Sequence, residues 1–185
     1  MKILKYKIFL LLPFIIMSCS NANNNTTNST NLKSNSKLIL MNKYVGDSTA
    51  EFNLKTLNNN YLNSKDFLGS YVLVNFWATW CKPCVKEMPS LNKLNSIFKD
   101  KKNFKIIAIN IGQSKKDVDM FIKNTSKIDF TILLDPDLDL SSWNVKAIPT
   151  TFLVNSKGKI IYYVEGEKNW NSPAFVNFFE SVIKD

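Results

Sequence analysis

The chain has 185 residues, of which 24 are lysine or arginine and 15 are aspartate or glutamate, and its formal charge at neutral pH is +9. Every basic residue is a lysine, whereas arginine is the side chain that binds bases and phosphates in a bidentate way. The lysines are also scattered among acidic residues. The composition therefore does not favour nucleic acid as a partner. With three cysteines and no histidine, the sequence also lacks the usual ligands of a zinc site.

The first residues have the pattern of a secretory signal peptide. Three lysines precede the apolar stretch Ile8–Met17, which is too short to span a membrane and is interrupted by Pro13. The segment ends in Ile16-Met17-Ser18-Cys19, which resembles the lipobox of bacterial lipoproteins, where the cysteine is acylated and becomes the first mature residue. We predict a lipoprotein signal peptide over residues 1–18 and lipidation at Cys19. The alternative is an ordinary cleaved signal, and both predict export from the cytoplasm.

A polar segment follows the predicted lipidation site. Of the 18 residues from 20 to 37, 14 are Asn, Ser or Thr, so this stretch cannot bury enough apolar surface to offset the entropy of ordering it. We interpret residues 19–37 as the lipidated cysteine and a disordered tether. Residues 38–185 are richer in apolar side chains and suffice for one domain with a core. Without residues 1–18 the formal charge is +6, from 21 lysines and 15 acidic residues.

The hydrophobic pattern of residues 38–185 predicts alternating strands and helices. Asn58-Asn59-Asn60 is a turn signal that predicts an N-terminal hairpin. Tyr71–Trp77 is a nearly unbroken apolar run, as expected of a strand buried on both faces. Apolar residues then recur every three or four positions from Val85 to Phe98, which indicates a helix with one buried stripe. The predicted strands are 52–57, 61–62, 71–77, 104–111, 131–134, 151–154 and 160–164, and further helices are predicted after Ser114 and over 173–183.

Two cysteines separated by two residues follow the strand Tyr71–Trp77 and can cycle between a dithiol and a disulfide. Because a helix begins just after Cys81, its sulfur lies where free backbone N–H groups and the helix dipole favour a thiolate. Lys82 adds a cation, and Pro83 suits the first helical turn. We predict that Cys81 is an exposed nucleophile and that Cys84 is the inward thiol that resolves the mixed disulfide. Metal binding is the alternative, which the ligand count disfavours, and we expect no cofactor besides the redox-active disulfide.

The run Val72–Cys84, followed by Val85-Lys86-Glu87-Met88-Pro89, resembles the thioredoxin superfamily, and within it the TlpA/ResA-like branch of extracytoplasmic thiol-disulfide oxidoreductases. A second motif, Ala147–Phe152, resembles the cis-proline loop of that family. The resemblance covers about residues 47 to 185 and implies a thioredoxin-like α/β fold, with a central mixed β-sheet flanked by helices on both faces and an N-terminal β-hairpin extension. It also implies that Ile148 and Pro149 bind substrate, the Ile148 backbone pairing with it like an added strand.

Several residues beside the cysteines are candidates for tuning them. Asn75 occupies the position at which thioredoxins carry a buried aspartate, so proton transfer to Cys84 needs another group. Glu87 follows Cys84 by three residues and shares its helix face, and the branch carries an acidic residue there; the alternative is a solvated helix carboxylate. We expect Trp77 in the core and Trp80 at the rim of the site, rather than as catalysts. The residues that we predict to modulate activity are Trp80, Lys82, Pro83 and Glu87.

The sequence predicts a monomeric enzyme that exchanges thiols and disulfides outside the cytoplasm, anchored by lipid to the periplasmic side of a bacterial membrane. Lys-Pro between the cysteines lacks the histidine associated with strong oxidants, so we expect a reductant of disulfides in exported proteins. The resemblance suggests apocytochrome c as substrate, and hence a role in cytochrome c biogenesis, with an inner-membrane thiol carrier as electron donor. A disulfide oxidant or isomerase is the alternative direction of electron flow.

Three other classes of protein are less consistent with the sequence. A peroxide-reducing enzyme of the same superfamily would need its nucleophile in a threonine-flanked loop motif, which is absent from this chain. A copper chaperone would need a wider cysteine spacing and a histidine. A non-catalytic binding module on the same fold often lacks one cysteine, whereas both are present here.

Overall fold

A computed structural model of the chain describes residues 40–45, 50–125, 127–138 and 143–183. The predicted signal peptide over 1–18, the predicted lipidation site Cys19 and the predicted tether over 19–37 lie outside the described residues. Across the described ranges, no helix has the length and apolar character needed to cross a membrane.

Within the described residues, eight strands form one mixed sheet in the order β1-β8-β7-β4-β5-β6-β2-β3. Strands β4, β5 and β6 are parallel, and the other neighbouring strands pair antiparallel. The predicted strands and the N-terminal hairpin, formed by β2 and β3, are confirmed. Strand β1 was not predicted, because two polar residues carry no hydrophobic period. The strands are β1 Asn42–Lys43, β2 Asn53–Thr56, β3 Tyr61–Asn63, β4 Tyr71–Trp77, β5 Phe104–Ile111, β6 Thr131–Asp135, β7 Thr150–Val154 and β8 Ile160–Glu165.

Three α-helices in the described part of the chain begin where the sequence carries a start signal. Helix α1 spans Lys82–Ile97, α2 spans Lys115–Lys123 and α3 spans Pro173–Val182. Helix α2 begins after Ser114, as the sequence predicted, and the Ser114 hydroxyl caps it by accepting a hydrogen bond from the backbone N–H of Asp117 at 3.3 Å. The proline at the start of α3 lies in its first turn, where a missing N–H costs no hydrogen bond.

The central strand β4 separates two hydrophobic cores, because successive side chains of a strand point to opposite faces. Leu73 and Trp77 lie in the core that holds the buried stripes of all three α-helices. Val72, Val74 and Phe76 lie in the other core, where Phe67 of a short 3-10 helix, Ser64–Phe67, packs beside strand and loop residues. The mixed sheet flanked by helices is therefore confirmed, with one difference in detail. The second face carries this 3-10 helix instead of an α-helix.

The arrangement of the helices follows from the handedness of the chain crossings. The connections β4–α1–β5 and β5–α2–β6 both move in the same direction across parallel strands. Right-handed crossovers in the same direction place both helices on the same face of the sheet. The carboxyl ends of β4 and β5 and the beginning of the antiparallel strand β7 consequently meet at one edge of the sheet, next to the first turn of α1.

Candidate active site

Cys81 is the N-cap residue of α1 and follows the short turn that leaves β4. Its backbone N–H donates to the carbonyl oxygen of Ala78 at 3.2 Å, which closes the turn. The Sγ atoms of Cys81 and Cys84 are joined in a disulfide, 2.04 Å apart. The Cys81 sulfur also accepts a hydrogen bond from the backbone N–H of Cys84 at 3.3 Å. When the disulfide is reduced, this N–H and the helix N-terminus favour the thiolate form of Cys81.

The two sulfurs differ little in their access to solvent. Cys84 is fully buried, as predicted, but Cys81 retains only 5% of its surface exposed. The prediction of an exposed Cys81 is therefore wrong for the disulfide form, because the sulfur faces the loop that precedes β7 and the backbone of that loop covers it. The rim is open elsewhere, since Trp80 is 67% exposed. Lys82 and Pro83 are both exposed in the first turn of α1, between the two cysteines.

The loop before β7 lies directly against the cysteine pair. Its Ile148-Pro149 peptide bond is cis, as the resemblance implied. The carbonyl oxygen of Ile148 is 3.7 Å from the Cys81 Sγ atom. Two hydrogen bonds hold the loop: the Pro149 carbonyl accepts from the backbone N–H of Gly166 at 2.8 Å, and the Thr150 hydroxyl donates to the Ala147 carbonyl at 2.6 Å. The structure thus brings both sequence motifs together at one site.

Glu87 is a buried carboxylate on the inward face of α1, one turn after Cys84, with only 1% of its surface exposed. The interpretation of Glu87 as a solvated helix carboxylate is therefore wrong. Its Oε1 atom accepts a hydrogen bond from Asn75 Nδ2 at 2.7 Å. Its Oε2 atom accepts from the backbone N–H of Lys168 and from Trp170 Nε1, each at 3.0 Å. Three donors thus converge on one carboxyl group.

Burial raises the pKa of the Glu87 carboxyl from its usual 4.5 to about 7, because an apolar environment disfavours the charged form. The hydrogen bonds from Lys168, Asn75 and Trp170, together with the positive charge of Lys168, favour the carboxylate and lower the pKa, but by less. The carboxyl group can therefore hold or release a proton near neutral pH. A group that donates and accepts protons beside a redox thiol must be able to do both near neutral pH.

The segment between β8 and α3 covers Glu87 and is itself held in place. The Ser90 hydroxyl, on α1, donates to the Glu87 carbonyl at 2.8 Å and accepts from the backbone N–H of Trp170 at 3.1 Å. The Lys168 ammonium donates to the carbonyl of Glu165 at 2.7 Å. At the surface, an ion pair with 2.8 Å between Lys86 Nζ and Glu167 Oε1 joins α1 to the same segment.

Gln113 holds the turn between β4 and Cys81. It follows the carboxyl end of β5, and its Oε1 atom accepts hydrogen bonds from the backbone N–H of Thr79 at 2.7 Å and from Asn110 Nδ2 at 3.0 Å. Its Nε2 atom donates to the Thr79 hydroxyl at 2.7 Å. One side chain therefore fixes both the backbone and the side chain of Thr79, which is two residues before Cys81.

The structure places all the predicted site residues of the described chain at this edge of the sheet, and it adds others. Trp77 is fully buried and packs against Phe121, with ring centroids 5.7 Å apart, as expected of a core residue. No local signal assigned a role to the added residues, because each reaches the site from a strand or loop that is distant in sequence from the cysteine pair. The residues that sequence reasoning missed are Asn110, Gln113, Thr151, Lys168 and Trp170.

Comparison with known proteins identifies the family. A family model described as the AhpC/TSA family matches residues 45–163, which is more than half of the sequence. The chain belongs to the AhpC/TSA family. Several relatives of this family member carry the name thiol-disulfide oxidoreductase ResA, and two of them serve as examples. The one from Geobacillus kaustophilus (strain HTA426) is 37% identical over 123 residues, which cover 66% of this chain and 70% of the relative. The one from Bacillus subtilis (strain 168) is 37% identical over 122 residues, which cover 65% and 67%.

Solved structures show the same fold. The thioredoxin domain of a thiol-disulfide oxidoreductase from Bacteroides vulgatus superposes with a TM-score of 0.65 at 28% identity, covering 76% of this chain and 100% of that one. StoA from Bacillus subtilis superposes with a TM-score of 0.57 at 29% identity, covering 66% and 92%. The fold is thioredoxin-like, and this AhpC/TSA family member is a thiol-disulfide oxidoreductase of the ResA and StoA type.

Proposed function

We propose that this enzyme reduces disulfides in exported proteins, with its Cys81 thiolate as nucleophile and Cys84 as resolving thiol. The observation that carries the proposal is the position of the Cys81–Cys84 disulfide, at a helix N-terminus, against the cis-proline loop and one turn before a buried carboxyl group. Each of these features serves one step of thiol-disulfide exchange, from binding to proton transfer.

The first step is attack on the substrate. The Cys81 thiolate forms a bond with one sulfur of the substrate disulfide, and the other substrate sulfur leaves as a thiolate. The backbone N–H of Cys84 and the positive end of the α1 dipole hold the Cys81 anion before the attack. Because this thiolate must be free to react, the step begins from the reduced dithiol and ends in a mixed disulfide between Cys81 and the substrate.

The second step releases the substrate. Cys84 loses its proton, attacks the Cys81 sulfur and restores the internal disulfide, while the second substrate sulfur leaves as a thiolate and takes a proton from solvent. Glu87 is the proton acceptor that we assign to Cys84, because residues three apart on a helix share a face and both side chains are buried. A carboxyl group with a pKa of about 7 can take this proton and return it later without carrying a permanent charge in the core.

Substrate binding uses the loop before β7. The resemblance to thioredoxin-like enzymes supports a mode in which an extended substrate segment pairs with the Ile148 backbone, like one more strand. The Ile148 carbonyl lies 3.7 Å from the Cys81 sulfur, so a segment paired there would present its own disulfide to Cys81. Trp80, which is 67% exposed at the rim, offers an apolar surface to residues that flank the substrate cysteine.

The direction of electron flow and the partners complete the proposal. Two electrons pass to each substrate disulfide, so a dithiol donor must reduce the enzyme again, and we assign this role to an inner-membrane thiol carrier. Apocytochrome c is the substrate that the family resemblance suggests. The signal-like sequence over residues 1–18 and the lipobox-like Cys19 support a lipid-anchored, extracytoplasmic location. The proposed enzyme is a monomer that binds no nucleic acid and uses no cofactor beyond its own disulfide.

The equilibrium potential of the Cys81–Cys84 pair tests the proposed direction. We would equilibrate the purified protein with mixtures of reduced and oxidised glutathione or dithiothreitol and quantify the free thiols by alkylation. A reductant should have a potential close to that of thioredoxin, about −270 mV, and a value near that of DsbA, about −120 mV, would overturn the assignment in favour of an oxidant.

A further inference from the structure

The side-chain amide of Asn75 lies between a carboxyl group and a hydroxyl group. Asn75, on β4, is fully buried and is paired in register with Thr151 of β7. Its Nδ2 atom donates to Glu87 Oε1 at 2.7 Å and to Thr151 Oγ1 at 2.9 Å. Its Oδ1 atom is buried and has no hydrogen-bond partner in the described part of the chain. A buried amide with both N–H groups used and its oxygen unused calls for an explanation.

The partners of Glu87 decide where a proton can be accommodated on its carboxyl group. The Oε2 atom accepts from the backbone N–H of Lys168 and the indole N–H of Trp170. Both of these groups can only donate, so a proton on the same oxygen would face two donors. The Oε1 atom faces Asn75, whose amide carries a donor at one end and an acceptor at the other. A proton gained by Glu87 therefore belongs on Oε1, opposite Asn75.

We propose that Asn75 reverses its amide by a half turn about its terminal bond when Glu87 gains a proton, and so serves as a positioning residue for that proton. The terminal torsion of asparagine has a broad, roughly two-fold preference, so the two orientations are comparable in torsional energy. After the turn, Oδ1 occupies the place of Nδ2 and accepts from the protonated carboxyl group and from the Thr151 hydroxyl. The hydroxyl group suits both orientations because it can accept or donate.

The charge on Glu87 selects the orientation. In each orientation one end of the amide has no partner, so the balance depends on the contact with the carboxyl group. With Glu87 ionised, the N–H of Asn75 donates to an anion, which is the stronger kind of hydrogen bond. With Glu87 protonated, the same N–H would oppose an O–H group, and the reversed amide replaces that clash by a hydrogen bond. The orientation in this structure is the one that suits the ionised carboxyl group.

Other charged groups around Glu87 come from the helix and the segment packed against it. The Lys168 ammonium donates to the backbone carbonyls of Glu165 and Gly166, at 2.7 and 3.1 Å, and Lys86 forms an ion pair with Glu167. The strands contribute the uncharged Asn75 and Thr151. Cys84 does not titrate while it is in the disulfide. In the oxidised protein, the pH response of Asn75 near neutrality therefore reports on Glu87.

The reversal would let a buried carboxyl group change its protonation state without water. Its value in turnover rests on the proposed role of Glu87 as the proton acceptor of Cys84. The reversal itself is a property of the resting, oxidised protein. The test of the reversal therefore needs no substrate. If the amide does not reverse, the proposal of thiol-disulfide exchange still stands. If the enzyme proves inactive, the reversal can still be tested.

NMR spectroscopy of the oxidised, isotope-labelled protein tests the proposal. The Asn75 side-chain NH2 signals and the Glu87 carboxyl carbon are followed between about pH 5 and about pH 9, roughly two units on either side of the carboxyl midpoint. We expect the Asn75 signals to shift with the same midpoint as the carboxyl carbon. Signals that stay in place while the carboxyl group titrates would overturn the proposal.

The variant Glu87→Gln is the matched control. Its amide oxygen would accept from Lys168 and Trp170, which leaves its NH2 group facing Asn75 and requires Asn75 to present its oxygen at every pH. We expect the Asn75 signals of this variant to be independent of pH and to match those of the wild type at low pH. Signals that match the wild type at high pH would show that the amide does not reverse, and would also overturn the proposal.

Discussion

The indole nitrogen of Trp170 donates a hydrogen bond to Glu87 Oε2 at 3.0 Å, although 83 positions separate the two residues in the chain. The Trp170 ring also packs against Phe175 of α3, with ring centroids 4.8 Å apart. The carboxyl-terminal helix and the active-site helix are thereby joined through one buried carboxyl group. The acid strength of Glu87 consequently depends on a residue that lies far from the cysteine motif in sequence.

Replacing Trp170 by phenylalanine should raise the pKa of Glu87 above 7. The substitution retains an aromatic ring but removes a donor that favours the carboxylate. A hydrogen bond to a charged group contributes about 1.5 to 3 kcal/mol, which corresponds to a rise of roughly one to two pH units. The carboxyl carbon of Glu87, followed by NMR, gives the midpoint. Trp143→Phe is the control, since Trp143 donates to the Glu51 carbonyl and lies in the other core, and an equal shift in both variants would contradict the assignment.

Glu87→Gln should change how stability depends on pH. The folded protein raises the Glu87 pKa from 4.5 to about 7, so folding favours the protonated form. The contribution of Glu87 to the free energy of unfolding is about 3 kcal/mol, is fully present below pH 4.5 and is lost as the pH rises through 7. Urea unfolding at a series of pH values should show the wild type losing stability relative to Glu87→Gln between about pH 5 and pH 8. The exposed α3 variant Glu180→Gln should keep the wild-type dependence, and parallel profiles for wild type and Glu87→Gln would refute the prediction.

The two cysteines should fail in different ways when each is replaced by serine. Cys81→Ser should abolish the reduction of insulin disulfides, because the thiolate that attacks the substrate is gone. Cys84→Ser should accumulate a mixed disulfide with the substrate, because no thiol remains to attack the Cys81 sulfur. Turbidity follows insulin reduction, and non-reducing electrophoresis with mass spectrometry detects the adduct. Wild-type turnover in either variant would reject the assigned roles.

Loss of Gln113 should slow the enzyme by releasing the turn before Cys81. Gln113→Leu removes both hydrogen bonds to Thr79, and we expect kcat/KM for insulin reduction to fall about tenfold, which corresponds to about 1.4 kcal/mol. Thr79→Val removes only the bond to the hydroxyl and keeps the bond from the Thr79 backbone, so its effect should be smaller. Backbone 15N relaxation of Thr79 and Trp80 should report greater motion in Gln113→Leu. An equal loss in both variants would argue against the backbone contact as the cause.

Trp80 should contribute to the binding of protein substrates and not to the chemistry. Its ring is 67% exposed beside the nucleophile, so Trp80→Ala removes an apolar contact surface without opening the core. We expect KM for a protein disulfide to rise about tenfold, as is typical of an aromatic contact worth about 1 to 2 kcal/mol. The rate with a small disulfide reagent, which has no flanking residues to pack on the Trp80 ring, should be unchanged. A parallel loss with both substrates would instead indicate a distorted cysteine loop.

Features that depend on neighbouring residues in the chain could be predicted from the sequence. The strands Tyr71–Trp77 and Phe104–Ile111 have the bounds that their apolar runs predicted. The start of α1 at Lys82 follows from the end of a strand and a proline in the next turn. The position of Cys81 at a helix N-terminus, and with it the redox chemistry, is therefore a local property of the sequence.

Other features were decided only when distant segments met. The sequence favoured a functional role for Glu87 but left a solvated carboxylate as the alternative, and the residue is buried because the segment before α3 folds over it and supplies Lys168 and Trp170. Cys81 is covered by the Ile148 backbone, 67 residues away. Burial and long-range hydrogen bonds depend on how the sheet and helices pack, which no local pattern encodes. The sequence alone thus determined where the redox cysteine pair lies, whereas the tertiary structure decided how accessible the sulfurs are and which carboxyl group is buried beside them.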